Sequence, residues 1–170
     1  MTKALVMGWD WIRTWSRRES HTKKSGGKAM DRRDLMLAAL AAAGNAASFR
    51  PVQVQKLFFL IDEEISDLVG GPHFAFRPYD YGPFDSDVYS ELERMHKQGL
   101  VAVTYGYYRS YSLTPDGYQR GTGILASLPQ QAKDFIERSS NWVRALSFNQ
   151  LVSAIYEKYP EMKEYSVFKQ

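Results

Sequence analysis

The stretch FRPYDYGPFDSDVYSELERMHKQGLVAVTYGYYRSYSL, Phe76 to Leu113, decides the fold. Its Tyr81-Gly82-Pro83 reads as a turn, because proline fixes φ and glycine accepts conformations that other residues resist. Asp85, Ser86 and Asp87 then supply N-cap side chains and negative charge for the first turn of a helix. Val88, Leu92 and Met95 recur at i, i+4 and i+7, a core-facing stripe on that helix. Gly99 suits a left-handed C-cap, with Leu100 making the apolar contact behind it. Val101 to Tyr105 is rich in β-branched and aromatic residues, Gly106 offers a turn, and Arg109 to Leu113 reads as the returning strand. Thr114-Pro115 is an N-cap followed by proline at the first helical position.

Upstream, Asp31 to Ala43 reads as a helix ended by Gly44. Pro51 opens a second, on which Val54, Leu57, Phe58, Ile61, Ile65 and Leu68 hold amphipathic spacing until Gly70-Gly71-Pro72. Phe74 and Phe76 alternate with Ala75 and Arg77, which predicts a short strand joining the hairpin as a third strand. Downstream, Gly117, Gly121 and Gly123 predict a short or frayed helix. Pro129 to Val143 reads as a better one. Ser147 and Gln150 match a capping box, and Leu146 and Leu151 the accompanying hydrophobic staple, for a last helix running to Pro160. The expected fold is α+β and winged-helix-like: mostly helical, with a small antiparallel β-hairpin or three-stranded sheet and an appended C-terminal helical pair. Residues 30–126 form the winged-helix-like domain. Residues 127–170 form an extension packed on it, or on a second copy as a homodimer.

Charge is distributed unevenly. Residues 1–29 hold seven Lys/Arg against two acids, whereas residues 30–170 hold fifteen against seventeen, so the overall +3 belongs to the leader. That leader also holds Trp9, Trp11 and Trp15. Its poor helical spacing and Gly26-Gly27 point to a disordered segment, or to an extension upstream of a chain that starts at Met30. A slightly acidic body lacks the electrostatic footprint of a general nucleic-acid binder. The absence of cysteine excludes a disulfide framework, a thiolate zinc site and a thiol nucleophile. No apolar run approaches the ~20 residues of a membrane span, and the reading is a cytoplasmic protein without a membrane partner.

Little in the chain points to a reaction. His21, His73 and His96 are scattered, without a second histidine at helical spacing, so neither a metal site nor a cofactor is expected. Gly26-Gly27-Lys28 lacks the flanking residues of a phosphate loop. Asp62, Glu63, Glu64 and Asp67 form an acidic cluster, read as a solvated helix face in preference to paired catalytic carboxylates. No catalytic residue is assigned, and a non-enzyme is expected.

The tyrosines carry more. They crowd the turn and the hairpin, and tyrosine supplies large contact area at small entropic cost. Tyr79, Tyr81, Pro83, Asp85 and Tyr89 at the turn, with Tyr107, Tyr108 and Arg109 at the hairpin tip, are the candidate partner-binding residues. The helix from Asp85 to Gln98 carries Asp85, Asp87, Glu91 and Glu93 against Arg94 and Lys97. A recognition helix with that balance opposes the phosphate contacts that dominate DNA affinity. A protein partner fits better than DNA.

The run PVQVQKLFFLID, followed by FRPYDYGPFDSDVYSELERMHKQGLV, resembles the Panacea (SocA-like antitoxin) domain and the related YwgA-like proteins. The likeness lies in Gln55-Lys56-Leu57 with aromatics behind it, the Tyr81 to Pro83 turn, and Tyr89 in the next helix. It covers roughly Asp31 to Ile124 and implies a non-catalytic, winged-helix-like regulatory module, often an antitoxin that neutralises a toxin encoded beside it. The alternative is a winged-helix transcriptional regulator, dimeric through its C-terminal helices, with the basic leader and Arg109 on phosphates.

Overall fold

Five consecutive apolar residues, Leu57 to Ile61, make the helix that contains them one that is buried all round. That helix, Pro51–Ile65, is the hub of the molecule. The computed structural model describes residues 11, 12, 15 and 30–169. Its elements are α1 (Arg32–Ala41), α2 (Pro51–Ile65), β1 (Arg77–Tyr79), β2 (Gly82–Phe84), α3 (Ser86–Lys97), β3 (Val101–Tyr105), β4 (Arg109–Leu113), α4 (Pro115–Ser127), α5 (Gln130–Ala145) and α6 (Phe148–Lys158). The fold is α+β and mostly helical, with two small antiparallel hairpins, β1–β2 and β3–β4.

The caps work as their side chains dictate. Asp31 Oδ1 accepts from Asp34 N, and Thr114 Oγ1 accepts from Gly117 N. Ser147 and Gln150 form a reciprocal capping box at the start of α6. Past α3, Gly99 takes φ +76° and Leu100 N donates back to Met95 O at 2.9 Å, which ends the helix and aims the chain into β3.

Three expectations need correction. Phe74 and Phe76 form no strand: Asp62 takes the N–H groups of His73 and Phe74, and Asp85 takes that of Ala75, so carboxylates hold this backbone where a ladder would have. The residue that pairs with the β3–β4 hairpin is Phe49, whose N–H and C=O both bond to Tyr111 at 2.8 Å.

The second correction concerns the turn. The two-residue loop is Asp80-Tyr81, while Gly82 and Pro83 lie in β2, in the register Tyr79↔Gly82, Pro78↔Pro83, Arg77↔Phe84. Gly82 adopts φ +100°, which lets the strand begin directly behind the loop. The facing prolines occupy a non-hydrogen-bonded pair, where neither is asked for a ladder N–H.

The third concerns α4, a full 13-residue helix despite its glycines. A Cβ on Gly117 would meet Leu100 O at 2.1 Å, and one on Gly121 would meet Leu37 O at 2.4 Å. These glycines are where backbones touch, and the packing of α4 on α1 outweighs their low helix propensity.

The C-terminal helices pack within the chain. Phe135, Ile136 and Val143 of α5 are fully buried, as are Leu151, Val152 and Ile155 of α6, and both helices contact α2. Most of the leader lies outside the described residues. Of the three described, Ile12 is fully buried, Trp11 and Trp15 contact the Phe135 ring, and Lys158 Nζ donates to Ile12 O at 2.8 Å. This part of the leader is packed on the body. No helix among the described residues is long and apolar enough to cross a membrane.

Candidate functional site

Two polar side chains near the start of α2 build the β1–β2 corner from below. Gln55 Oε1 accepts from Asp85 N and its Nε2 donates to Asp85 O, both at 3.0 Å, so one amide reads both backbone groups of one residue. Lys56 Nζ donates to Pro83 O at 3.1 Å. Asp85 in turn caps α3, its Oδ1 accepting from Asp87 N at 2.9 Å and its Oδ2 from Ala75 N at 2.8 Å. Backbone 83–85 is thus fixed from two sides. Buried polar groups must be matched in this way, because an unmet one forfeits its desolvation cost.

Aromatic rings run across this frame. Tyr79 stacks on Phe84 at 5.1 Å, Phe84 meets Tyr89 edge-on at 5.8 Å, and Tyr89 lies nearly parallel to Tyr111 at 6.4 Å. The ladder joins the corner to the β3–β4 hairpin through α3. Burial pushes the Tyr89 hydroxyl up to about 12. On the other side Tyr81 packs edge-on against Phe148 of α6 at 5.0 Å. Between them lies a cleft of about 290 Å³, walled by Tyr79, Tyr81, Phe84, Tyr89 and Phe148, with Gln55 and Lys56 at its base. Burial without an opposite charge lowers the Lys56 amine to about 7.

The sequence-predicted residues divide into two groups. At the corner, Tyr79 and Tyr81 are exposed (54% and 43%), whereas Pro83 is buried and Asp85 has its carboxylate and backbone engaged. Pro83 and Asp85 shape the corner and present no free contact group. Tyr89 is half-buried in the ladder. At the tip, Tyr107, Tyr108 and Arg109 are exposed, and Arg109 lies over the Tyr105 ring at 5.5 Å. Arg50, beside the cleft-lining Pro51, reaches to 6.0 Å from the Tyr108 ring and bridges the two groups.

Gln55, Lys56 and Phe148 were not among the residues that the sequence marks as binding. The signal was their setting: two polar residues leading into an unbroken apolar run must find partners inside.

The acidic cluster is not the solvated helix face expected, and its carboxylates diverge. Asp62 turns inward to two backbone N–H groups, and burial raises its carboxyl above the usual range. Glu64 pairs with Lys158 at 3.0 Å and accepts from the Tyr159 hydroxyl, while Glu63 and Asp67 are exposed. Burial, then the bond to Glu64, raise Tyr159 well above an ordinary phenol. No group of His, Asp and Glu fit to hold a metal occurs among the described residues. The rings of His73 and His96 instead bond to the carbonyls of Val69 and Val101. Comparison with protein-family models, curated proteins and solved structures gives no match.

Proposed function

We propose that this chain is a non-catalytic regulatory module of winged-helix type that binds a protein partner, in the manner of the Panacea antitoxins it resembles. The observation that carries this reading is the joining of two separate short motifs into one unit. Gln55-Lys56, in the first half of the resemblance, bonds directly to Pro83 and Asp85 in the second half. Such a unit presents an aromatic cleft with exposed tyrosines at its mouth, which is the composition of a protein-binding surface. The order α1, the Phe49 bridge, α2, α3 and the β3–β4 hairpin supports a winged-helix arrangement, with β1–β2 inserted before α3.

The same order favours a DNA-binding regulator, since α3 and the hairpin are the elements that such a protein would lay on a duplex. Its charge argues otherwise. Asp87 and Glu93 stand exposed on α3, Asp87 lies 3.5 Å from Arg32, Glu91 is paired with Arg94 at 2.7 Å, and Arg109 with the neighbouring Arg50 are the cations at the hairpin. Phosphates would meet a negative helix.

Co-expression with the product of the neighbouring gene tests the proposal. The wild-type chain is expected to hold that protein through purification. Tyr81→Ala and Tyr108→Ala are each expected to weaken the complex about tenfold or more, as truncated aromatic anchors do, with unchanged melting temperature. Full retention by both variants overturns the reading. A DNA shift at low salt that vanishes with rising salt restores the alternative.

A further inference from the structure

One group in the cleft has binding capacity left over. Lys56 is 3% exposed, and Pro83 O is the one acceptor of its amine among the described residues. No carboxylate there lies within ion-pair distance of it. An ammonium carries three donors and seeks a counter-charge when buried. The floor beside it is kept low by Gly82, where a Cβ would stand 3.7 Å from Nζ and 3.3 Å from the Tyr156 ring.

We propose that the cleft receives an Asp or Glu side chain of the protein partner, its carboxylate on Lys56 Nζ and its apolar neighbour between Tyr79, Tyr81 and Phe148. This rests on the docking role of the corner and names what docks. The cleft opens beside the exposed Tyr79 and Tyr81, so its occupant enters from the docking face. Asp80 is the one acidic residue in the lining, and any charge it places there weighs more heavily against a dianionic phosphate than against a monoanionic carboxylate. The other titratable groups nearby are the tyrosines Tyr79 and Tyr81 of the corner, Tyr89 of α3 and Tyr156 of α6, with Lys163 over the Tyr156 ring at 5.9 Å. None of the tyrosines supplies a positive charge. Because the free amine titrates at about 7, binding of a carboxylate takes up a proton above that pH.

An NMR titration of the whole chain with phenylacetate, phenylacetamide and the capped dipeptide acetyl-Phe-Glu-amide tests this. Below pH 7, phenylacetate is expected to bind about tenfold tighter than its neutral amide, as a charge-assisted bond to a buried amine requires. That ratio falls toward one across about one pH unit above 7, because a tenfold preference for the charged amine is lost once the amine is neutral. Lys56→Met makes the two probes equivalent; should that variant fail to fold, the wild-type pH dependence decides by itself. The dipeptide, which continues onto the tyrosines, is expected to bind about tenfold tighter than phenylacetate. Equal affinity for acid and amide, a ratio insensitive to pH, or discrimination intact in Lys56→Met overturns the proposal. A dipeptide no tighter than phenylacetate overturns the protein source in favour of a free small acid. No partner protein enters this titration, so its failure is separate from failure of the Tyr81 and Tyr108 complex test.

Discussion

At the corner, Tyr79 and Tyr81 stand on a hairpin whose backbone is held from below by Gln55 and Lys56. At the tip, Tyr107 and Tyr108 lean on one another at 4.8 Å, and Tyr107 is 93% exposed. Both regions are rich in tyrosine, but only the corner is cast against the core. A preformed surface loses little freedom on binding, whereas an unsupported loop must be ordered by its partner. Under the proposed docking role, that difference would give the corner affinity and register, and the tip contacts that adapt.

Removing the clamp is the sharpest way to break that contrast. Gln55→Ala leaves the N–H of Asp85 unmet, while its C=O keeps the Val88 N–H, and loosens the start of α3. A loss of about 1–3 kcal/mol is expected in denaturant unfolding, the cost of stranding one partly buried backbone donor. A loss below about 0.5 kcal/mol, the scale of an ordinary surface substitution, would show that the corner supports itself.

A second contrast comes from pH. Lys56 titrates at about 7 in the folded chain and at 10.5 when free of it. Between those values the unfolded chain holds a proton that the folded chain lacks, so stability rises with pH by about 1.4 kcal/mol per unit. Above pH 10 the raised Tyr89 and Tyr159 act in the opposite sense, because the unfolded chain then releases protons that the folded chain keeps. Denaturation midpoints are therefore expected to climb from pH 7 toward pH 10. In Lys56→Met this climb disappears. A flat wild-type profile would mean that the amine is already paired.

The smallest effect belongs to the tip. Tyr107→Ser is expected to shift unfolding by less than about 0.5 kcal/mol, as for a surface side chain without buried contacts, while reducing partner affinity. A larger loss of stability would erase the distinction between the two regions.

Much of the frame was legible because it is written locally. Asp85 before a helix, Gly99 behind one, Thr114-Pro115 and the Ser147–Gln150 box each act within a few residues of themselves. The exposed tyrosines of the hairpin follow from the same short-range pattern. What escaped depends on distance along the chain. Phe49 pairs with Tyr111 across 62 positions, and a lone bridge leaves no alternation to read. Gly117 and Gly121 look like breakers until α1 and Leu100 are seen against them. Lys56 stands before an apolar run that draws it inside, but only the distant hairpin shows what its amine meets and makes that position the base of a cleft. The site was half legible for this reason: its rim is local, and its floor is assembled.

The facing Pro78 and Pro83 carry one more implication. In such a pair the missing N–H of each would have pointed outward, so neither margin of the β1–β2 ribbon offers a complete row of donors to a foreign strand. The ribbon is thereby a poor seed for edge-to-edge aggregation, even though it is short, aromatic and near the surface. What the ribbon offers a partner under the proposed docking role is rings and an amine, not a main-chain edge.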